Sequence, residues 1–272
     1  MRDLRMPTVV SAPSPTPPAR EGALQVLCGW HAVEAALQRR PDSCRKLLHS
    51  EARLPALKPY LRRLAERRAA YRVAGEAELL KVAGTAAHQG VVAAFERPVL
   101  RSVNGAMLRR WASQPGLTVA LDGVANPHNL GALARTAAFF GLQGLLVGEQ
   151  GSAGLLSTAA YRVAEGGLDR VELALVGDLV WATEQFRRFG GQVLALDVRG
   201  SRDLRELRGA ACKVGVLLVV GAEESGVSPA VCQAANHAVH IAAGRGAHLE
   251  SLNVGVATGI AIAELVAPSP AP

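Results

Sequence analysis

The second half of the chain carries long Val/Leu runs that stop at glycine or a polar residue, and helical patterns separate one run from the next. The runs are TVALDG (118–123), GLLVG (144–148), VELALV (171–176), QVLALDV (192–198), VGVLLVVGAE (214–223) and AVHIA (238–242). Strands without polar alternation are buried on both faces, and helices between them yield a parallel sheet covered on both sides. Helical patterns fall at NLGALARTAAFFG, STAAYRVAEG, DLVWATEQFRRFG, RDLREL, SPAVCQAA and SLNVGVATGIAIAEL. The expected fold class is therefore α/β, with any ligand beyond the C-terminal strand ends.

From Leu24 to Pro98 shorter patterns alternate. Helices are expected at HAVEAALQR, LPALKPYLRRLAERR and EAELLKVA, and strands at KLLHS, AYRVA and GVVAAFE, which makes 23–98 a small α/β unit. In its second helix Leu54, Leu57, Leu61 and Leu64 share one face, while Lys58, Arg62, Arg63, Arg67 and Arg68 occupy the rest. That basic surface reads equally as a grip for RNA or as an ordinary solvated face. Residues 99–116, with Asn104, Pro115 and Gly116, lack strand alternation and read as a linker holding a short helix at Met107 to Trp111. The parallel-sheet domain then spans 117–266. The Pro/Ser/Ala-rich residues 1–22 and the end 267–272 read as disordered tails, because they offer too little apolar surface to offset the entropy of ordering.

With 49% hydrophobic residues the 272-residue chain can bury a substantial core, yet no run approaches the roughly 18 apolar residues of a membrane helix. Prolines interrupt MRDLRMPTVVSAPSPTPPAR before a signal-peptide core forms, so a cytoplasmic location and no membrane are expected. Cys28, Cys44, Cys212 and Cys232 lie far apart with no CxxC pair, pointing to buried reduced thiols and no metal. Thirty Lys+Arg against 23 Asp+Glu leave a net charge of +7, which favours a polyanionic partner, although a GC-rich genome also inflates arginine.

Three segments place glycines and polar residues directly after apolar strands. In LDGVANPHNLGALARTAAFFG, Asn126 or Asn129 is placed to cap the helix, Gly131 permits a close backbone approach, and Arg135 is the polar exception on an Ala/Leu/Phe helix. Arg135 reads either as a functional group or as a salt-bridged helix arginine. In VGVLLVVGAEESGVSP a buried strand runs into Gly221, Ala222, Glu223, Glu224, Ser225 and Gly226, and Ser228-Pro229 starts a helix. This turn matches neither GxGxxG nor GxxxxGK[ST], so dinucleotide and nucleoside-triphosphate enzymes lose their main support. Glu223 is either a ligand-binding carboxylate or the ion-pair partner of Arg135. In HIAAGRGAHLESLNVGVATGIAIAEL a glycine-rich loop leads to a helix opened by Ser251 and Asn253. That helix is apolar on nearly every side and is expected to be buried, with Gly255, Ala257 and Gly259 allowing tight packing or a subunit contact.

In this order and with these separations, NPHNLGALARTAAFFG, GAEESGVS and ESLNVGVATGI resemble the three motifs of the SpoU (TrmH-type) family of SPOUT RNA methyltransferases, over about residues 118–266. The block from GWHAVEAAL to HQGVVAAF resembles the RNA-binding domain that precedes the catalytic domain in ribosomal-RNA 2′-O-methyltransferases. The resemblance implies S-adenosylmethionine-dependent methylation of a ribose 2′-hydroxyl in structured RNA, ribosomal RNA ahead of transfer RNA, by a homodimer. It also implies a deep trefoil knot in the C-terminal domain, against the general rule that chains do not thread themselves. Carried over by position, Gly221, Ile241 and Leu252 contact the methyl donor through their backbone, and Asn129, Arg135, Glu223, Ser251 and Asn253 form the catalytic set.

In-line attack of a 2′-oxygen on a sulfonium methyl needs positioning and help with losing a proton. The family mechanism assigns that help to the arginine. As a persistent cation, an arginine is better suited to binding the ribose oxygen or an adjacent phosphate and stabilising negative charge. By this reading Glu223 orients Arg135, Asn129 holds the first turn or the ribose, and Ser251 with Asn253 shapes the donor pocket. The chain departs from the family pattern where Ala242-Ala243 follows Ile241 in place of Pro-Met, in the longer stretch GRGAHL, at Ala222 for a common asparagine, and at Gly255 for a frequent serine. His248, in the lengthened loop, reads either as a stand-in for the usual donor contacts or a substrate contact, or, as the commoner case for a lone loop histidine, as a solvent-exposed bystander; His128 and His31 read the same way. The rival reading is a catalytically silent RNA-binding or ribosome-assembly protein of the same fold, against which the intact catalytic set argues.

Overall fold

A computed structural model describes residues 24–148, 152–244, 248–249 and 251–267. The tail 1–22 and residues 268–272 of the C-terminal tail lie outside the described residues. The smaller sheet contains β1 (Leu24–Cys28), β2 (Cys44–His49), β3 (Ala70–Val73) and β4 (Val91–Glu96) in the order β1-β4-β2-β3. It packs with helices α1 (Trp30–Arg39), α2 (Leu54–Glu66) and α3 (Glu76–Ala83). Strand β1 has no counterpart in the sequence expectations. It is a short strand interrupted by Gln25, a polar residue that is nevertheless buried because its Nε2 donates to the Leu156 carbonyl at 2.6 Å.

The larger sheet is built from β5 (Arg101–Ser102), β6 (Gly116–Asp122), β7 (Gly144–Gly148), β8 (Leu173–Val176), β9 (Gln192–Leu196), β10 (Arg202–Asp203), β11 (Gly215–Gly221) and β12 (His237–His240). Its order is β10-β12-β9-β11-β6-β7-β8-β5, and every pairing is parallel. The helices of this half are α4 (Gly105–Ala112), α5 (Pro127–Phe139), α6 (Ser152–Leu155), α7 (Thr158–Ala164), α8 (Leu179–Arg188), α9 (Pro229–Ala234) and α10 (Val254–Val266). Val216 to Val220 of β11 and Leu117 to Leu121 of β6 are buried, as continuous apolar runs require.

Several expectations meet a different local structure. Residues 99–116 are docked on the larger sheet: β5 pairs with β8, Asn104 caps α4 by accepting the Met107 N–H at 3.0 Å, and Trp111 is buried against Gly144. RDLREL forms no α-helix, because Arg202 and Asp203 pair with β12 and Asp203 Oδ1 accepts the Arg205 N–H at 2.9 Å, which closes a short 3-10 turn instead. In α10, Val254, Thr258, Ala261, Ile262 and Leu265 are buried, but Val256 and Ile260 are 52% and 39% exposed, so this helix is not covered all round in the single chain. Cys28 and Cys44 are buried free thiols, and burial pushes Cys44 up to about 11, whereas Cys212 is exposed.

The two sheets share a core. One apolar cluster runs from Leu27, Val33, Leu37 and Phe95 of the smaller unit into Leu133, Tyr161 and Leu168 of the larger. At that junction Arg40 Nε meets Asp169 Oδ1 at 2.7 Å, with the guanidinium over the rings of Phe95 and Tyr161. Thr158 Oγ1 donates to the Val26 carbonyl at 2.9 Å. Burial pushes the Asp169 carboxyl up, partly offset by the Arg40 charge, and also pushes up the Tyr161 phenol.

Candidate active site

The site grows from the C-terminal ends of β6 and β11, which lie side by side with Gly221 opposite Asp122. After β6 the chain turns at Gly123 (φ +73°) into α5, with Pro127 at its start and Asn126 as the cap accepting the His128 N–H at 2.9 Å. Because Asn126 takes the cap, the side chain of Asn129 is free to reach the neighbouring loop. After β11 the chain doubles back: the Gly226 N–H donates to the Ala222 carbonyl at 2.8 Å, and a Cβ on Gly221 would collide with the Gly226 backbone. Asp122 Oδ2 accepts the Ser228 N–H at 2.8 Å and ties the two strand ends together. Asp197 lies against Gly226, and the hydrogen bonds from Arg199 hold its carboxyl below the usual range.

Glu223 is where three segments meet. Its Oε1 accepts from Asn129 Nδ2 at 3.1 Å, from Asn253 Nδ2 at 2.6 Å and from the Val254 N–H at 3.4 Å. Asn253 Nδ2 also lies 3.3 Å from Asn129 Oδ1, and its own Oδ1 caps α10 by accepting the Gly255 and Val256 N–H groups at 2.9 and 3.4 Å. A carboxylate beside a helix N-terminus is favoured by the helix dipole and by its unpaired amides. The cluster therefore joins the loops after β6, β11 and β12 through side chains 30 to 124 residues apart.

Arg135 stands outside that cluster. Its Nη2 pairs with Glu165 Oε2 at 3.0 Å, so the expectation that Glu223 pairs with or orients Arg135 is corrected. Packing explains the change of partner. An added Cβ on Gly131 would lie 2.5 Å from the Ala160 carbonyl oxygen, so α5 and α7 approach closely there, and the end of α7 arrives beside Arg135. Glu223 meanwhile is engaged by the two asparagines and the first turn of α10. Glu165 carries no mark in the sequence, since nothing about AEGG shows that it faces a residue thirty positions earlier.

Of the other expected residues, Ser251 and Leu252 are exposed just before α10, and Ile241 is half-buried against the core just past β12. His31, His128 and His248 are exposed. Residues 245–247 and 250 of the lengthened loop lie outside the described residues. The basic face of α2 is partly paired and stays net positive: Arg63 and Arg67 share the single carboxylate of Asp42, and Arg62 pairs with Glu66. Among the described residues, no group of three His, Cys, Asp or Glu is placed to hold a metal ion, and no helix is long and apolar enough to cross a membrane.

Residues 116–263 match the model of the SpoU rRNA Methylase family, and residues 26–99 match the model described as RNA 2'-O ribose methyltransferase substrate binding. Among curated relatives, the 23S rRNA (guanosine-2'-O-)-methyltransferase RlmB of a Burkholderia species is 33% identical over 246 residues, covering 89% of this chain and 96% of the relative. The uncharacterized tRNA/rRNA methyltransferase YfiF of Escherichia coli O157:H7 is 34% identical over 239 residues, covering 87% of this chain but only 66% of that longer protein. Among solved structures, a TrmH-family protein from Porphyromonas gingivalis is 29% identical with a TM-score of 0.70, covering 89% of this chain and 88% of its own. An AdoMet-bound rRNA methyltransferase from Sinorhizobium meliloti shares the fold at 24% identity, with a TM-score of 0.69 and coverage of 89% and 86%.

Proposed function

The chain belongs to the SpoU rRNA Methylase family, and from that premise we propose that it transfers a methyl group from S-adenosylmethionine to a ribose 2′-hydroxyl of structured RNA. Ribosomal RNA is the first candidate and transfer RNA the second. The observation that carries the reading is the convergence of Asn129, Glu223 and Asn253 on one carboxylate oxygen beyond the paired ends of β6 and β11, where an open α/β sheet keeps its ligands.

The residues around that cluster fit the methyl donor. In the turn 221–226 Gly221 and Gly226 bring backbone close to the site, and the stretch after β12 presents the exposed, small Ala242, Ala243 and Gly244. Gly221, Ile241 and Leu252 would hold the donor through backbone groups, with Ser251 beside it. S-adenosylmethionine supplies an electrophilic sulfonium methyl when bound. Asn129, Glu223 and Asn253 keep three loops in register, and such preorganisation lets a bound ribose meet the methyl in line. Arg135 would bind the ribose oxygen or the adjacent phosphate and stabilise negative charge as the 2′-oxygen bonds to the methyl carbon, the methyl–sulfur bond breaks to release S-adenosylhomocysteine, and the hydroxyl proton passes to solvent water.

In the proposed division of labour, residues 23–98 bind the RNA substrate and residues 117–266 carry the chemistry. The segment 99–116 belongs structurally with the second unit. A trefoil knot is part of the proposal on the strength of the family, and it fits the contact of segment 197–214 with the last helix, where the Gly209 N–H donates to the Glu264 carbonyl at 2.9 Å. A homodimer is supported by the exposed apolar side chains Phe139 and Phe140 at the end of α5 and Val256 and Ile260 on the neighbouring α10. We place the activity in the cytoplasm, with ribosomal RNA.

The test is transfer of tritiated methyl from S-adenosylmethionine to total ribosomal RNA and, separately, total transfer RNA. Label in ribosomal RNA is expected. Label confined to transfer RNA would move the substrate to the second candidate, and donor and RNA binding without transfer to either would favour the silent RNA-binding reading.

A further inference from the structure

Glu165, the ion-pair partner of Arg135, sits where three structural units meet. It follows α7 in the left-handed region (φ 45°, ψ 47°), a conformation that glycine adopts freely and glutamate does not. Gly166 and Gly167 come next. A Cβ on Gly167 would lie 2.6 Å from the Ala134 carbonyl oxygen and 2.8 Å from Cα of Arg135, so this turn is pressed against α5 at the arginine itself. A Cβ on Gly166 would lie 2.7 Å from Cβ of Ala35 and 2.8 Å from the His31 carbonyl oxygen, so the same turn is pressed against α1 of the smaller domain. Just beyond it, Asp169 forms the buried ion pair with Arg40.

We propose that Glu165 is a positioning residue for Arg135, and that the smaller domain holds it in place through the turn 165–169. The proposal rests on the methyltransferase reading for what Arg135 does. Arg135 is 58% exposed on a flexible stem, so an unsupported guanidinium would sample many rotamers. Glu165 engages Nη2 and leaves the remaining donors of the planar fork for a ribose or phosphate oxygen. Backbone strain of this kind persists where surrounding packing over-determines it, and here α1 and α5 do so from two sides. The domain that would bind RNA thus also sets the arginine that would act on it.

Glu165→Gly removes the carboxylate while suiting the left-handed backbone, so it separates positioning from folding. The expected result is an unchanged or higher melting temperature, an unchanged KM for S-adenosylmethionine, and kcat lowered roughly 10- to 100-fold, with Glu165→Gln intermediate because it keeps a neutral hydrogen bond. A kcat for Glu165→Gly within about twofold of wild type, beside an inactive Arg135→Ala, would overturn the proposal and leave the methylation reading intact. The Arg135 guanidinium resonances give a readout independent of turnover: hindered rotation in wild type that becomes averaged in Glu165→Gly supports positioning, and identical spectra overturn it. If wild type methylates no RNA, the methylation reading fails while these spectra still decide whether Glu165 orders the arginine.

Discussion

The junction between the two sheets and the loop cluster at the strand ends are both built from charged and polar side chains, but in opposite surroundings. At the junction Asp169 and Arg40 have side chains only 6% and 15% exposed, and Asp169 Oδ2, Arg40 Nη2 and the Tyr161 hydroxyl have no hydrogen-bond partner in the structure. At the loop cluster Glu223 and Asn253 are exposed, Asn129 is half-buried, and the three are bonded to one another. Taking charges out of water is costly, so the junction pair makes stability depend on both partners being present. Exposed groups carry little folding energy and can hold a geometry for a ligand instead. Substitutions in the first region should therefore register mainly in stability, and those in the second mainly in activity.

The largest expected effect breaks this comparison cleanly if it fails. Arg135→Ala should lower kcat by about 10²- to 10³-fold with a melting temperature close to wild type, as for loss of one preorganised charge-stabilising donor. Measuring both quantities on one preparation checks it, and a large fall in melting temperature would move Arg135 to the structural side. Next in size, Arg40→Met leaves Asp169 buried without its cation and should cost roughly 3–5 kcal/mol in denaturant unfolding. Adding Asp169→Leu should recover most of that loss, because the penalty lies in the unpaired charge.

Asn253→Ala belongs to both categories and sharpens the boundary between them. Loss of the α10 cap should cost about 1 kcal/mol, and loss of a donor to Glu223 should lower kcat further than that instability explains. The smallest effects concern pH, where two aspartates should show opposite signs. Asp169 has a raised pKa in the fold, so its contribution to stability is fully present below its unfolded value near about 4 and is lost as pH rises through the raised value. Asp197, beneath the site turn, has a lowered pKa, so its contribution is present above about 4 and is lost as pH falls through the lowered value. Melting temperatures of Asp169→Asn and Asp197→Asn against wild type across that range should show difference slopes of opposite sign.

The parallel sheet was readable in the sequence because a strand such as GVLLVVG has no polar face and can only be central. Short or partnered elements were not. Strand β1 hides behind Gln25, whose burial depends on a carbonyl 131 residues away, and RDLREL carries helix formers but is pulled into a strand edge by β12. At the site, Asn129, Glu223 and Asn253 were marked by loops that follow apolar strands, and the structure brings those three together. The partner of Arg135 was not marked, because the approach of α7 to α5 depends on glycines whose packing partners a single sequence does not reveal. The outward-facing Val256 and Ile260 likewise show that an all-apolar helix pattern does not fix which of its faces the chain itself covers.

The most direct test of the central claim is the chemistry of the product. Ribosomal RNA labelled by wild type and by Arg135→Ala would be hydrolysed with alkali, which cleaves next to every free 2′-hydroxyl and spares a 2′-O-methylated linkage. Label in alkali-resistant dinucleotides from wild type, absent with Arg135→Ala, is the predicted result. Label released in mononucleotides would place the methyl on a base, and label unchanged in Arg135→Ala would remove the arginine from the reaction; either would contradict the account.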